Sequence, residues 1–289
     1  MNCKNLKKLL ADPHTYIVPG VYDGISAKLV EKVGFKVMSI TGNGLGASAL
    51  GLPDVGLMSM REVVDYSRNI SNAVNIPVIA DADTGYGAAL NVIRTVREFE
   101  QAGLSGIHLE DQISPKKCAY YEGKKELVSI EHQVHKLKAA IATRKNTDFC
   151  IIARTDALLV YGFEEMLLRT RKYVEVGIDG VFVVGFSDIA QIAAFKREFR
   201  DVPLIVNLND TNPLNKVGFK CFEELGVKLI LYPATARSAA AKAVLDTLSC
   251  LHADGNTQKV LDELLPLDEF SSLMGAGDYQ ELEKKYVRD

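Results

Sequence analysis

The chain has 289 residues, of which 47% are hydrophobic and 25% are charged, and its formal net charge is −3. This composition predicts a folded protein with a large core and excludes an intrinsically disordered one. Because no basic block interleaved with aromatic residues occurs, we expect neither nucleic acid nor an anionic membrane as a partner.

The start of the chain lacks the apolar run and cleavage pattern of a signal peptide, and no apolar stretch is long enough for a membrane span. The 5 cysteines are scattered and form no C-x-x-C pair. We therefore expect reduced thiols and a cytoplasmic protein.

Short apolar runs rich in β-branched residues recur along the chain, and each predicts a strand that is buried on both faces. In chain order they span 16–20, 36–41, 77–83, 105–111, 149–155, 179–184, 203–208 and 227–233.

Helical periodicity fills the gaps between these runs, for example over 24–34, 91–103 and 163–177, and each of these stretches ends in glycine. A repeated strand–helix unit predicts parallel strands joined by crossover helices. Eight units predict a closed (β/α)₈ TIM barrel. An open doubly wound sheet is the alternative, but no G-x-G-x-x-G follows the first strand.

Two charged helical stretches follow the eighth unit, over 256–289. No linker, repeat or low-complexity segment interrupts the chain. We interpret 1–289 as a single barrel domain with a C-terminal helical extension, and we expect a homo-oligomer.

The functional residues of such a barrel lie at the carboxyl ends of its strands. Polar residues follow five of the predicted strands at this end. They are Thr41 with Gly42 and Asn43, Asp81 with Asp83, Glu110 with Asp111, Arg154, and Asn207.

Asp81 and Asp83 are two residues apart, so on a strand they would point to the same face. Adjacent carboxylates repel unless a cation neutralises them, and Mg²⁺, or Mn²⁺ in its place, prefers such oxygen ligands. The alternative is that they cap the next helix. Three further acids at neighbouring strand ends, Asp54, Glu110 and Asp111, favour the metal site.

The "TGNG" stretch at 41–44 predicts a glycine-rich bend whose hydroxyl and backbone N–H groups hold a carboxylate or an enolate oxygen. A plain strand-to-helix turn is the alternative. Arg154, at a strand end, predicts a bidentate carboxylate clamp. Its alternative role is an ion pair with Asp156.

Cys118 lies in a polar loop beside Lys116 and Lys117, whose charges favour the thiolate. The loop from 112 to 127 is long for a strand-to-helix connection, which predicts an active-site lid. A thiol on a lid is suited to protonating a carbanion or an enolate. His108 falls within a predicted strand and is expected in the core.

Six motifs of the chain resemble one known superfamily nearly end to end, that of isocitrate lyase and phosphoenolpyruvate mutase. Within it, the chain is similar to 2-methylisocitrate lyases, dimethylmalate lyases and carboxyvinyl-carboxyphosphonate phosphorylmutases. The motifs are "VYDGISAKLVEKVGF", "TGNGLGASALGLPDVG", "DADTGYG", "LEDQISPKKCAYYEGK", "IIARTDA" and "LYP".

The resemblance implies a barrel whose last helix is exchanged between subunits, in a homodimer or a homotetramer. It also implies Mg²⁺ and a 2-oxo or hydroxy carboxylic acid in the barrel mouth. Substrate would be bound by Thr41, Gly42, Asn43, Asp81, Arg154 and Asn207. The metal would be surrounded, mostly through water, by Asp54, Asp81, Asp83 and Glu110. Catalysis would fall to Cys118 as proton donor, Lys116, Arg154 and Tyr120.

The chain departs from the lyase pattern at several positions. Ala119 and Tyr120 stand where lyases carry Gly and His, and Asn43 replaces a common glycine. Val184 lies nearest to the position where the sixth strand of lyases typically ends in Glu. We expect Tyr120 to tune substrate choice through its phenol, and Lys116 to help hold the thiol or the substrate charge.

The leading functional hypothesis is a Mg²⁺-dependent carbon–carbon lyase that cleaves a substituted malate or isocitrate-like acid, of the 2-methylisocitrate or dimethylmalate type. The alternative is a phosphorus–carbon mutase of the carboxyvinyl-carboxyphosphonate type. A third hypothesis, a catalytically inactive ligand-binding homologue, is disfavoured by the complete set of Asp81, Asp83, Cys118 and Arg154.

Overall fold

The computed structural model describes residues 5–118 and 125–287. Eight parallel strands close into a barrel in sequence order, and β8 pairs with β1. This confirms the predicted (β/α)₈ TIM barrel and each predicted strand. The strands are β1 Tyr16–Val21, β2 Met38–Ile40, β3 Val78–Asp81, β4 Gly106–Glu110, β5 Cys150–Thr155, β6 Gly180–Val183, β7 Leu204–Asn207 and β8 Val227–Tyr232.

Helices surround the barrel and cross over between successive strands. They are α1 Leu6–Ala11, α2 Gly24–Val33, α3 Gly42–Leu50, α4 Met60–Asn72, α5 Ala89–Gln101, α6 Ile130–Thr143, α7 Ala157–Val160, α8 Phe163–Val174, α9 Ile189–Glu198, α10 Phe219–Glu224, α11 Thr235–Asp254, α12 Leu267–Leu273 and α13 Ala276–Tyr286.

The amino-terminal end of the barrel is filled by α1. Leu6 and Leu10 are buried there in one cluster with side chains from the barrel interior. The Lys7 ammonium donates to the carbonyl of Thr147, just before β5, which fixes α1 at this end. The opposite end is therefore the one that is open to a ligand.

The helices after β8 pack differently from those that cover the barrel. None of α11, α12 and α13 has a buried residue in the single chain, although α12 contacts α2. None of the described residues belongs to a helix long and apolar enough to cross a membrane.

Candidate active site

A cavity of about 360 Å³ opens at the carboxyl ends of the strands. Most of the predicted site residues line it. They are Thr41, Gly42, Asn43, Asp54, Asp81, Lys116, Cys118, Arg154 and Asn207. Asp83 and Glu110 are not part of this lining, but they contact Lys116 and Arg154, which are. Tyr120 lies outside the described residues.

Three carboxylates meet at one point of the cavity, and we call them the acid cluster: Asp54, Asp81 and Asp83. The ammonium of Lys116 lies among them, 2.9 Å from Asp54 and 3.7 Å from Asp81, and it also pairs with Asp83. The Lys116 side chain is only 4% exposed, so these charges interact with little screening by water. The sequence placed Lys116 beside the thiol, but the structure places its charge among the carboxylates.

Asp81 and Asp83 come together through a local turn, and not because alternate side chains of a strand point to the same face. The strand β3 ends at Asp81, and Asp83 has a positive φ of 47°. The backbone N–H of Asp83 donates to a carboxylate oxygen of Asp81 at 3.0 Å. This local turn brings the second carboxylate back toward the first.

Burial and neighbouring charges separate the acidities of the two carboxyls. Burial raises the pKa of Asp83 to about 6, although Lys116 opposes the shift. Burial acts in the same direction on Asp81, but Lys116, His108 and Arg154 outweigh it and hold the pKa of that carboxyl well below its usual range. Asp81 is therefore the permanently ionised member of the pair.

Arg154, at the end of β5, lies among three acids, and its side chain is 15% exposed. Its guanidinium lies 3.0 Å from Glu110, 3.3 Å from Asp156 and 3.5 Å from Asp81. The ion pair that the sequence offered as an alternative is thus present, and the side chain still lines the cavity. The lining position leaves it able to receive a substrate carboxylate.

Glu110 lies beneath Arg154 and is fully buried. Burial raises its pKa to about 8. One of its oxygens, Oε1, is buried without a hydrogen-bond partner among the described residues. An unpartnered carboxylate oxygen at this depth is an acceptor for a water molecule or a cation.

The donor set fits Mg²⁺ in a water-rich site. No three His, Cys, Asp or Glu side chains of the described chain are arranged so that they could hold a metal ion directly. Mg²⁺ usually keeps several waters and needs only one or two carboxylates. The acid cluster already surrounds a cationic group, and Glu110 adds a free oxygen, so water-mediated binding by the four predicted acids is compatible with this geometry.

Asp111, which the sequence grouped with these acids, faces away from the cavity. It accepts hydrogen bonds from Thr155, Arg169 and Tyr173 behind the barrel wall. Successive residues of an extended segment point to opposite faces, so Glu110 and Asp111 cannot serve the same site. Asp111 is a structural acid.

His108 is buried, as expected, but it also lines the cavity, which the sequence interpretation missed. Its Nδ1 lies 3.4 Å from Asp81, and its ring packs edge-on against Phe182 at 5.2 Å. Burial lowers its pKa to about 4, so the imidazole is neutral near pH 7. The sequence could have shown this, because His108 is two residues before Glu110 on β4 and alternate residues of a strand face the same side.

The "TGNG" stretch is the start of a helix and not the bend that the sequence predicted. Thr41 is the N-cap of α3, and its hydroxyl oxygen accepts from the backbone N–H of Gly44 at 3.3 Å. The cap outweighs the low helix propensity of the glycines. The amino terminus of α3 still faces the cavity, where its dipole favours an anion.

Gly42 leaves room here for the end of the Lys116 side chain. A Cβ at this position would lie 2.9 Å from the ammonium of Lys116. The next residue, Asn43, brings its side-chain nitrogen to 3.9 Å from the sulfur of Cys118. The helix start and the thiol thus lie side by side in the cavity.

The long loop is closed at its base by an antiparallel bridge between Gln112 and Leu127. Gln112 also links the loop to the site. Its amide oxygen accepts from the backbone of Lys117 at 2.9 Å, and its amide nitrogen donates to Glu110 at 3.2 Å. These contacts hold residues 113–118 over the acid cluster, with Cys118 half-buried in the cavity lining.

The side of the cavity at the ends of β6, β7 and β8 has no charged side chain among the described residues. We call its hydrophobic and proline lining the apolar wall: Leu159, Phe182, Val184, Phe186, Pro213, Leu231 and Pro233. Val184, which lies nearest to the position where the sixth strand of lyases typically ends in Glu, is 5% exposed. Asn207, Asn209 and Asn212 add amides to the rim of this side.

Comparison with known proteins shows which family this chain belongs to. The family model for phosphoenolpyruvate phosphomutase matches residues 6–252. The chain is 40% identical over 284 residues to 2,3-dimethylmalate lyase of Eubacterium barkeri, covering 98% of this chain and 97% of the relative. It is 36% identical to 2-methylisocitrate lyase of Aeropyrum pernix, covering 98% of this chain and 90% of the relative.

A solved structure of 2,3-dimethylmalate lyase, described as a PEP mutase/isocitrate lyase superfamily member, has a TM-score of 0.91 to this chain at 29% identity. The alignment covers 99% of this chain and 95% of that one. Family match, sequence identity and fold agree with the motif resemblance, and the chain belongs to the phosphoenolpyruvate phosphomutase family within the PEP mutase/isocitrate lyase superfamily.

Proposed function

We propose that this protein is a Mg²⁺-dependent carbon–carbon lyase that cleaves a substituted malate or isocitrate-like acid. Cleavage of the bond between the hydroxyl-bearing carbon and its neighbour gives a 2-oxo acid and a carbanion stabilised as an enediolate. The observation that carries the proposal is the thiol of Cys118 in the same cavity as the acid cluster and Arg154. The named lyase relatives support it.

Substrate binding would use the positive features of the cavity. Arg154 would bind one carboxylate of the acid, because its guanidinium lines the cavity and presents several donors. The oxo-acid carboxylate and oxygen would lie at the amino terminus of α3, near Thr41, Gly42 and Asn43. Asn207 would donate from the opposite side.

The metal would be held, mostly through water, by Asp54, Asp81, Asp83 and Glu110, and Mn²⁺ could replace Mg²⁺. When bound, Mg²⁺ supplies positive charge that stabilises the oxyanion of the product enolate. Bound Mg²⁺ in the solved complex of phosphonopyruvate hydrolase with oxalate supports a metal in the family. Lys116 supplies charge to the same carboxylates from the loop side.

Cys118 would act as the general acid. As the carbon–carbon bond breaks, the substrate hydroxyl would give its proton to a carboxylate of the acid cluster and become the carbonyl of the 2-oxo acid. The electron pair remains on the carbon that leaves, and the thiol donates its proton to that carbon. The contact with Asn43 at 3.9 Å orients the sulfur toward the end of the cavity where α3 begins. Tyr120, outside the described residues, is kept as a proposed determinant of substrate choice.

A product screen tests this function against the mutase alternative. Purified protein with Mg²⁺ is incubated separately with 2,3-dimethylmalate, 2-methylisocitrate and a phosphonate substrate, and the products are followed by proton and phosphorus NMR. Release of pyruvate from either hydroxy acid is the expected result. Rearrangement of a phosphorus–carbon bond without pyruvate release would replace the lyase by the mutase.

We also propose a homodimer or a homotetramer. The helix α11 has no buried residue in the single chain. Val244, Leu248 and Leu251 recur at helical spacing along it and are 55%, 56% and 40% exposed. Such a stripe is typical of a helix that packs against another subunit. Exchange of a C-terminal helix between subunits belongs to the same proposal.

A cytoplasmic location is the last part of the proposal. No disulfide joins the four cysteines that the structure describes, which suits a reducing compartment. The partner in this proposal is a small carboxylic acid, of the kind that gives the two lyase relatives their names.

A further inference from the structure

A second cavity lies at the amino-terminal end of the barrel, between the end of α1 and the starts of β6, β7 and β8. Its volume is about 580 Å³. No described residue lines both this cavity and the active-site cavity, so a ligand here would leave the active site unoccupied. We call it the basic cleft, and its charged lining residues are Lys7, Asp12, Asp179, Lys196, Arg200, Asp201 and Lys228.

Two of the three acids in the basic cleft already have partners within the protein. Asp179 pairs with the guanidinium of Arg144 and lies 3.5 Å from the ammonium of Lys7. Asp12 accepts a hydrogen bond from the hydroxyl of Tyr16 at 2.8 Å. These contacts occupy the two carboxylates and also account for one of the four cations of the cleft.

The other two lysines of the cleft are held by backbone carbonyls. The ammonium of Lys196 donates to the carbonyls of Arg200 and Val202 at 2.8 and 3.0 Å. The ammonium of Lys228 donates to the carbonyl of Asp12. Both lysines are half-buried, and neither forms an ion pair with a carboxylate in the part of the chain that the structure describes. The carbonyls fix the two ammonium groups in place without neutralising their charge.

The charges of these two lysines act on each other. Burial lowers the pKa of Lys196, and the charge of Lys228 lowers it further, while Asp201 opposes the shift. Arg200 is exposed at the same cleft and adds a third cation. An anion bound among these three groups would relieve the repulsion between them.

A phosphate group suits this arrangement better than a carboxylate does. It carries roughly 1.5 to 2 negative charges at pH 7 and three strong acceptor oxygens. Lysine binds phosphate as a point charge, and arginine adds a planar fork of donors. One phosphate group can therefore serve as the counter-ion of two fixed ammonium groups and still accept from a guanidinium.

We propose that the basic cleft is a phosphate-binding site in which Lys196, Lys228 and Arg200 hold either inorganic phosphate or the phosphate group of a small ester. The bound group would join α9 to β8 and, through the contact of Lys228 with Asp12, to the end of α1. It would thus strengthen the closure of the amino-terminal end of the barrel. Its binding needs neither the metal nor the carboxylic acid of the active site.

Isothermal titration of the whole protein with two probes tests the site and identifies the source of the phosphate. The probes are inorganic phosphate and glycerol 3-phosphate, each added after exhaustive chelation so that no metal in the acid cluster recruits them. We expect saturable binding of one anion per chain, and the probe that binds more tightly identifies the free ion or the ester as the ligand. Absence of binding of both probes at millimolar concentration would overturn the proposal.

Variants of the two lysines show whether the anion binds in the basic cleft. Lys196→Met and Lys228→Met should each weaken binding by at least about tenfold, because each removes a charged hydrogen-bond donor. Arg197→Met is the matched control, since Arg197 is the next residue on α9, is exposed and does not line the cleft. Circular dichroism checks the fold, and Arg200→Met, at an exposed position, repeats the test if a lysine variant does not fold. Wild-type affinity in the folded variants would place the anion elsewhere and overturn the proposal.

Thermal unfolding gives a second measurement, because a ligand that binds only the folded chain raises its Tm. The tighter-binding probe should raise the Tm of the wild type and of Arg197→Met, and should raise that of the lysine variants less. Sodium chloride at the same ionic strength is the control for general screening. An equal rise of the wild-type Tm in sodium chloride would contradict a specific phosphate site.

Discussion

Cys118 distinguishes the lyase hypothesis from the mutase hypothesis, because only a lyase needs a proton donor for the leaving carbon. We expect Cys118→Ser to reduce kcat by at least about a hundredfold, the lower end of what general acid catalysis contributes. The hydroxyl keeps the shape of the side chain but is a far weaker acid. KM should change little, because Arg154 and the acid cluster remain.

Steady-state kinetics on the acid identified by the product screen measures both constants. A kcat within a factor of two of the wild type would show that Cys118 is not the general acid. That result would favour the mutase alternative. Asn43→Ala, which removes the 3.9 Å contact to the sulfur, is a useful companion variant because it leaves the thiol in place.

Lys116 gives a second prediction at this scale, because its ammonium lies among carboxylates that a metal would use. Removing one positive charge about 3 Å from these oxygens should tighten cation binding. We expect Lys116→Met to bind Mn²⁺ at least about tenfold more tightly than the wild type in the absence of substrate.

Electron paramagnetic resonance of free Mn²⁺ measures this affinity without any turnover. Lys117→Met is the control, because it removes the same charge from a neighbouring side chain that is exposed. Unchanged or weaker Mn²⁺ binding by the Lys116 variant would contradict the role of its charge in the cluster.

At the scale of single elements, α11 carries the prediction about assembly. An oligomer should bury its exposed stripe, so Leu248→Glu should shift the protein toward the 31.7 kDa monomer. Ser249→Glu, at the neighbouring exposed position, adds the same charge off the stripe and should leave the assembly intact. Multi-angle light scattering distinguishes the two, and a wild-type monomer at micromolar concentration would refute the assembly.

The strands were predictable from the sequence because each is a short β-branched run between helical patterns. The start of α3 was not, since "TGNG" contains two glycines and reads as a bend. The side-chain cap of Thr41 fixes the helix start, and Gly42 packs beside the ammonium of Lys116. The cap is local, but the contact with Lys116 joins residues that are distant in the sequence.

The site was predictable where a residue type and a strand end sufficed, as for Asp81 and Arg154. It was not predictable where the direction of a side chain decides what the side chain contacts. The sequence set Lys116 beside the thiol and could not show that its long side chain turns into the acid cluster. Nor could it show that Asp111 faces the helices while Glu110 faces the barrel.

At the scale of the whole molecule, the burial of Lys136 on α6 makes the stability of the fold depend on pH. It is 2% exposed and faces the carboxylates of Glu110 and Asp111. Burial lowers its pKa to about 8, from 10.5 in the unfolded chain. Between these values the unfolded chain binds the extra proton, so this lysine makes stability rise with pH.

The contribution of Lys136 therefore opposes folding below about pH 8 and fades toward pH 10.5. We expect the Tm of Lys136→Met minus that of the wild type to fall as the pH increases from 8 to 10. Lys138→Met, on the exposed face of the same helix, should show no such trend. Thermal unfolding followed by circular dichroism gives all three curves, and a flat difference would contradict the buried charge.

The most direct measurement of the central claim is pyruvate release from the hydroxy acid before and after exhaustive chelation. A lyase that depends on Mg²⁺ at the acid cluster should lose its activity with the metal and regain it when Mg²⁺ or Mn²⁺ is restored. Asp83→Ala should remain inactive at saturating metal while its circular dichroism spectrum stays that of the wild type. Wild-type activity that survives chelation would contradict the account.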